Sequence, residues 1–84
     1  MIERKGKAMR EKVLEVLCQV NPKIVNNVEA DLLETGLIDS FEIVNVVMEL
    51  EGALNIEIDP ELVTPENFQT VDAIAKLVES IITA

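Results

Sequence analysis

Residues 36–54 read GLIDSFEIVNVVMELEGAL, and two features of this stretch decide how the chain folds. The first is its start. Asp39 can cap a helix, and Glu42, three residues on, can reach back to complete a capping box. The second is an excess of apolar side chains. On a wheel of about 100° per residue, Ile43, Val46, Val47, Leu50 and Leu54 cluster on one side and provide a core face. Phe41, Val44 and Met48 form a second stripe about 135° away by the same spacing. Glu42, Asn45 and Glu49 make a polar strip beside that stripe, and Glu51 flanks its other side. A helix in a small bundle needs one apolar face, so the second stripe is either a contact surface or is covered by the preceding connection.

Outward from this helix, the chain reads as helices and turns. Met9, Val13, Val16, Leu17 and Val20 recur at helical spacing, so a first helix runs from near the start to about Val20, where Asn21-Pro22 ends it. A long connection follows, from Asn21 to Ile38, with Ile24, Val28, Leu32, Leu33 and Leu37 as apolar anchors and Gly36 supplying a turn. After the central helix, Asn55 to Val63 is a loop. Ile56 and Ile58 alternate there with Glu57 and Asp59, as in a short strand, but a lone strand has no partner. Thr64-Pro65-Glu66 places a cap, a first-turn proline and an acid in order, which starts a short helix ending near Gln69. Thr70 caps the last helix, whose stripe is Val71, Ile74, Ala75, Val78, Ile81 and Ile82. The expected architecture is all-α, a small four-helix bundle of three main helices and one short one with a long first connection, in a single domain over residues 1–84.

Composition narrows the function. A chain of 84 residues buries about two-thirds of its unfolded surface and has little left to enclose a deep active site. No run of about 18 apolar residues is present to span a bilayer, and Arg10, Glu11, Lys12 and Glu15 interrupt what would be a leader's apolar core. The expectation is a cytoplasmic protein without membrane insertion. With one cysteine and no histidine, disulfide frameworks, Cys/His zinc sites and histidine-based triads are excluded. Cys18 lies among residues with helical apolar spacing and is expected to be a buried, inert thiol. The formal charge is −9, and five of the seven basic residues (Arg4, Lys5, Lys7, Arg10 and Lys12) lie in the first twelve positions. Such an acidic body repels nucleic acid and attracts basic protein surfaces. The glutamates interspersed in the basic segment mark it as the solvated face of a helix.

Ser40 stands at the beginning of the central helix, where free N–H groups and the helix dipole stabilise anions, so a phosphate ester on its hydroxyl would sit in a favourable field. Ile38 and Phe41 flank it in sequence. No base neighbours it, so another protein must perform any chemistry there. A calcium loop starting at Asp31 would put Gly36, Asp39 and Glu42 at its sixth, ninth and twelfth positions. Leu33 then occupies the third, where an oxygen ligand is required, and no second loop exists to pair with it. No metal site is expected.

Gly36-Leu37-Ile38-Asp39-Ser40-Phe41, continued by VVMELEGALNIEI and the two later helices, resembles the acyl carrier proteins and the wider phosphopantetheine-dependent carrier family over essentially the whole chain. The hallmark is Asp-Ser followed by an apolar residue at the start of the second helix. The resemblance implies that a separate phosphopantetheinyl transferase attaches phosphopantetheine from coenzyme A to Ser40, and that Asp39 engages that enzyme and its metal. It further implies that the arm carries acyl groups as thioesters, as in fatty-acid or related acyl-chain biosynthesis. Phe41, Glu42, Val44, Met48 and Glu49 would face partner synthases or acyl and aminoacyl ligases with basic docking patches. The carrier itself would be a monomer and not an enzyme. Asn45 and Gly52-Ala53 stand where many fatty-acid carriers have acids, and GLIDS is also similar to D-alanyl and peptidyl carriers served by adenylating ligases. A protein-interaction domain that is never modified is the remaining alternative.

Overall fold

Proline and asparagine divide the chain where the sequence pattern divides it. The computed structural model describes the backbone of residues 5–83 and the side chains of residues 9–83. Four α-helices follow in order: α1 (Lys5–Val20), α2 (Ser40–Leu54), α3 (Pro65–Phe68) and α4 (Val71–Thr83), with 3-10 turns at Pro22–Asn26 and Pro60–Leu62. The fold is the expected all-α bundle with its long first connection. Arg4 lies outside the described residues, as do the side chains of Lys5 and Lys7.

α1 is the central element and packs against both α2 and α4, while α3 packs against α4. Its expected stripe turns inward: Val13, Val16 and Leu17 are buried, and Met9 and Val20 pack at the margin. The chain leaves α1 through Asn21, whose Oδ1 accepts from the Lys23 N–H at 3.0 Å while its Nδ2 donates to the Leu37 carbonyl at 2.8 Å. One side chain thus joins the two ends of the long connection. In between, Ile24, Leu32 and Ile38 are completely or almost completely buried and hold the connection to the core. The tight turn before α2 needs Gly36, whose φ of +79° lies in the left-handed region that side chains disfavour. Asp31 organises the preceding turn, accepting from the N–H groups of Leu33 and Glu34 and from the Gln69 amide at 2.9 Å. These bonds, chiefly the one from Glu34 and then the one from Gln69, hold the Asp31 carboxyl below its ordinary pKa. Alongside them the Leu32 N–H donates to the Gln69 carbonyl at 2.6 Å, tying the connection to the α3–α4 junction.

Residues 55–63 form the expected loop, with no strand among them and a 3-10 turn at Pro60–Leu62. With no neighbouring strand to pair with, the Ile58 N–H instead donates to the Glu51 carboxylate at 2.8 Å, and Ile58 buries its side chain. Glu51, at the flank of the exposed stripe, thus also serves the loop. Other expectations require correction. Cys18 is not buried but partly exposed, because it lies on the flank of α1 away from α2 and α4. In α4, Leu77 is buried and Ile82 is 46% exposed, since the helix end runs past the core. Phe68, in the short α3, is the largest of the fully buried side chains.

Candidate functional site

The start of α2 combines a rigid backbone with an open side chain. Asp39 is extended (φ −101°, ψ −178°), and its Oδ1 accepts from the Glu42 N–H at 2.8 Å while the Glu42 Oε1 accepts from the Asp39 N–H at 3.1 Å. This is the capping box expected from the spacing. One residue before it, the Ile38 N–H donates to the Leu32 carbonyl at 3.0 Å and the side chain is buried. The site is therefore anchored on its N-terminal side by the core and on its C-terminal side by the cap.

Ser40 follows as the first residue of α2 and is exposed. Its hydroxyl takes part in none of the side-chain hydrogen bonds among the described residues, unlike those of Thr35, Thr64, Thr70, Ser80 and Thr83, which bond to backbone groups of their own turns or helices. The apolar pair around Ser40 in sequence is separated in space. Ile38 points into the core and Phe41, 85% exposed, points out, so only Phe41 offers an apolar surface beside the hydroxyl. A free hydroxyl at a helix N-terminus, uncovered and rigidly held, fits a phosphodiester-linked arm: the field favours the charge and nothing packs over the point of departure.

Beyond Ser40, α2 separates its two stripes as the wheel predicts, although its core face is narrower than expected. Val46 and Leu50 are buried, while Ile43, Val47 and Leu54 are only partly so. On the second stripe Val44 is 58% and Met48 63% exposed. The long connection does not fold over them, which removes that explanation. Glu49 is exposed beside this stripe. Glu42 is half-buried, and its carboxylate is already engaged by the cap. The polar strip also borders a hollow of about 380 Å3 lined by Gln19, Val20, Glu42, Asn45 and Glu49. Gln19 and Val20 come from the end of α1, and no sequence signal places them beside the strip, since the juxtaposition depends on how the two helices cross. The calcium reading also finds no support: Asp31 is occupied by its turn, Asp39 by the cap, and no group of three or more potential metal ligands occurs among the described residues.

Comparison with known proteins supplies a family for this arrangement. The pattern of a family described as the phosphopantetheine attachment site matches residues 7–78. Among curated proteins, the chain is 29% identical over 73 residues to a D-alanyl carrier protein of Lactococcus lactis subsp. lactis (strain IL1403), covering 84% of this chain and 92% of that one. It is 31% identical over 74 residues to a D-alanyl carrier protein of Staphylococcus xylosus, covering 86% of this chain and 95% of that one.

Proposed function

The chain belongs to the phosphopantetheine attachment-site family, and from that membership we propose that Ser40 bears the prosthetic arm and that the exposed stripe of α2 guides partner enzymes to it. The protein is a carrier, not an enzyme, and holds its phosphopantetheine covalently. The observation that supports Ser40 is the contrast among hydroxyls: it alone joins exposure, a rigid helix start and freedom from hydrogen bonds among the described residues. When attached, phosphopantetheine supplies a flexible thiol that holds cargo as a thioester.

The chain's own part is positional. Asp39 fixes the first turn of α2 by accepting from the Glu42 N–H through Oδ1, and its carboxylate would engage the transferase and that enzyme's metal ion. With no base of its own, Ser40 gives up its proton to that enzyme. Phe41, Val44 and Met48 then offer apolar contact, and Glu49, with what remains of Glu42, offers charge to a basic surface. On this reading residues 1–84 act as one monomeric carrier domain in the cytoplasm, where coenzyme A is available. No helix among the described residues is long and apolar enough to cross a membrane.

For cargo, the reading with most support is D-alanine or a similarly small acyl group loaded by a dedicated adenylating ligase. Two features support it: the relatives named above match along most of both chains, and Asn45, Gly52 and Ala53 leave the α2 face less acidic than that of many fatty-acid carriers. A fatty-acyl intermediate is the second reading, favoured by the wide apolar stripe of α2.

Intact mass tests both levels. Co-expression with a broad-specificity phosphopantetheinyl transferase should add one phosphopantetheine to the wild type and none to Ser40→Ala, whose helical circular dichroism should match the wild type because Asp39 still caps α2. A modified Ser40→Ala variant would show that the arm sits elsewhere. Loading the modified protein with D-alanine, ATP and a D-alanyl-carrier ligase should add one D-alanyl group. Loading by a fatty-acyl ligase alone would reverse the order of the two cargo readings.

A further inference from the structure

Asn21 does more than follow the end of α1. Its Oδ1 accepts from the Lys23 N–H at 3.0 Å and caps the 3-10 turn. A cap needs only an acceptor, which aspartate or serine supplies as well. The amide nitrogen is surplus to that role, and from a half-buried position it donates to the Leu37 carbonyl at 2.8 Å. Leu37 lies three residues before Ser40 and directly after Gly36, the permissive link in the approach to α2. Gly36 is exposed, its φ is +79°, and nothing lies within 4 Å of where a side chain would begin. The other bonds that hold the approach come from the connection itself. The Gly36 N–H donates to the Leu33 carbonyl at 3.2 Å, the Leu37 N–H to the Thr35 hydroxyl at 3.4 Å, and the Ile38 N–H to the Leu32 carbonyl at 3.0 Å. Asn21 is instead fixed to α1, because its N–H donates to the carbonyl of the fully buried Leu17 at 2.9 Å. Its bond to Leu37 is the shortest of the four, and it ties the approach to the bundle across the glycine.

On the reading that Ser40 bears the arm, we propose that Asn21 is a positioning residue for arm attachment, acting through the bond from its Nδ2 to the Leu37 carbonyl. Ser40 is exposed and begins α2, so where its hydroxyl stands follows from where its backbone stands. The capping box fixes that backbone on the helix side, and Asn21 fixes it on the side of Gly36. With both in place, the surface that a transferase must recognise exists before the encounter, and binding does not have to order it. Without the Asn21 bond, residues 36–39 sample other arrangements and only a fraction of the carrier is competent to bind. The apparent KM of the transferase for the carrier then rises by the inverse of that fraction, while kcat is unchanged, because the molecules that do bind are arranged as in the wild type.

The test is steady-state attachment of phosphopantetheine to the full-length protein by a broad-specificity transferase, read by intact mass, with amide hydrogen exchange on the same samples. Asn21→Ser and Asn21→Asp both keep an acceptor for the Lys23 N–H. Neither can donate to Leu37, since the serine hydroxyl is too short to reach it and the carboxylate has no proton to give. Asn27→Ala is the control, because it deletes a bond of similar length, from the Asn27 side chain to the Lys23 carbonyl at 2.9 Å, at the other end of the same turn. The expected result is a KM about two- to tenfold higher in both Asn21 variants with kcat unchanged, the range that one hydrogen bond of ordinary net strength carries. Exchange at Ile38 and Asp39 should accelerate by a similar factor, and Asn27→Ala should match the wild type in both measurements. A wild-type KM in Asn21→Ser would overturn the proposal, as would an equal rise in Asn27→Ala, which would make the effect one of general stability. So would a rise confined to Asn21→Asp, where the added charge would be the cause, or a fall in kcat alone. A wild type that stays unmodified, or a Ser40→Ala variant that is modified, would instead overturn the carrier-site assignment and this role with it. Unchanged kinetics in Asn21→Ser beside normal modification at Ser40 would remove the role of Asn21 alone.

Discussion

Helices α2 and α4 carry similar shares of apolar residues and use them in opposite ways. α4 turns Val71, Ile74, Ala75, Leu77 and Val78 into the core. α2 buries only Val46 and Leu50 and leaves Phe41, Val44 and Met48 in solvent. Folding alone accounts for α4, because concentrating apolar area on one face is what removes it from water. It does not account for the outer stripe of α2, which gains nothing from the bundle and adds exposed apolar surface next to the helix start that presents Ser40. Apolar content by itself therefore says little about a helix; how that content divides between core and solvent separates an element that only builds the core from one that leaves apolar surface free.

Glutamate substitution gives the largest test of this difference. Leu50→Glu on α2 and Ile74→Glu on α4 both place a charge at fully buried positions, where it is either unpaired or forces the helix from the bundle. Each should cost several kcal/mol of a total that is commonly about 5–15 kcal/mol. Met48→Glu removes no core contact and should cost less than about 1 kcal/mol, while slowing arm attachment or cargo loading. Urea melts of the three variants check the order. Equal destabilisation by Met48→Glu and Leu50→Glu would show that the outer stripe is covered in solution and erase the distinction between the helices.

Both helices also begin on a side-chain cap: Asp39 on α2, and Thr70 on α4, where the hydroxyl accepts from the Ala73 N–H at 3.0 Å. Asp39→Ala and Thr70→Ala should each lose about 1 kcal/mol in chemical denaturation. Their functional effects should diverge, with arm attachment slowed by Asp39→Ala and unaffected by Thr70→Ala. Asp39→Asn sharpens the comparison, because asparagine caps nearly as well but offers a metal no carboxylate. It should retain stability and still slow attachment.

The caps were legible in the sequence because capping is local, fixed by residues three apart. So were the two stripes of α2 and the position of Ser40, since both follow from helical spacing and the cap, but spacing does not tell whether the second stripe is exposed or covered by the connection. What was not legible depends on how elements meet. Nothing local indicates that Phe68, in a four-residue helix, becomes a central core side chain, or that Arg10 pairs with Asp72, 62 positions away. The loop at 55–63 was legible, because a lone strand has no partner, but the bond from the Ile58 N–H to the Glu51 carboxylate within it was not. The exposure of Cys18 is likewise decided by which flank of α1 its neighbours leave open, and that of Ile82 by where the core ends, neither of which periodicity encodes.

A smaller effect concerns the turn that leads to α2 and its tie to the start of α4. Asp31 has a folded-state pKa below its ordinary value because it accepts from Glu34, Gln69 and Leu33. Its charged form is therefore favoured by folding. The resulting stabilisation is fully present above the unfolded-state pKa of about 3.9 and is lost as pH falls through the lower folded-state value. Asp31→Asn should be less stable than the wild type near neutral pH, with the gap narrowing in that acid range. Hydrogen exchange at Leu33 and Glu34 should accelerate first, since their N–H groups donate to this carboxylate. A gap that stayed constant from pH 7 down to strong acid would mean that the carboxylate's charge contributes nothing.

The smallest change in stability, and the finest test of α2 against α4, comes from matched charge reversals. Glu49 on α2 is exposed and Glu79 on α4 is half-exposed, and neither is in an ion pair among the described residues. Replacing either with lysine shifts the net charge equally, so general attraction of the acidic body to a basic enzyme falls equally in both. Only Glu49→Lys places the wrong sign beside Val44 and Met48. Both variants should fold within about 0.5 kcal/mol of the wild type. At low salt, attachment by a phosphopantetheinyl transferase should slow severalfold in Glu49→Lys and only slightly in Glu79→Lys, mainly through association. The difference should shrink as salt is raised and the screening length falls from about 10 Å at 0.1 M to about 3 Å at 1 M. If the two reversals slowed attachment equally, the total charge of the protein would be steering the encounter. α2 would then have no electrostatic role that α4 lacks, and its claim as a partner surface would rest on the apolar stripe alone.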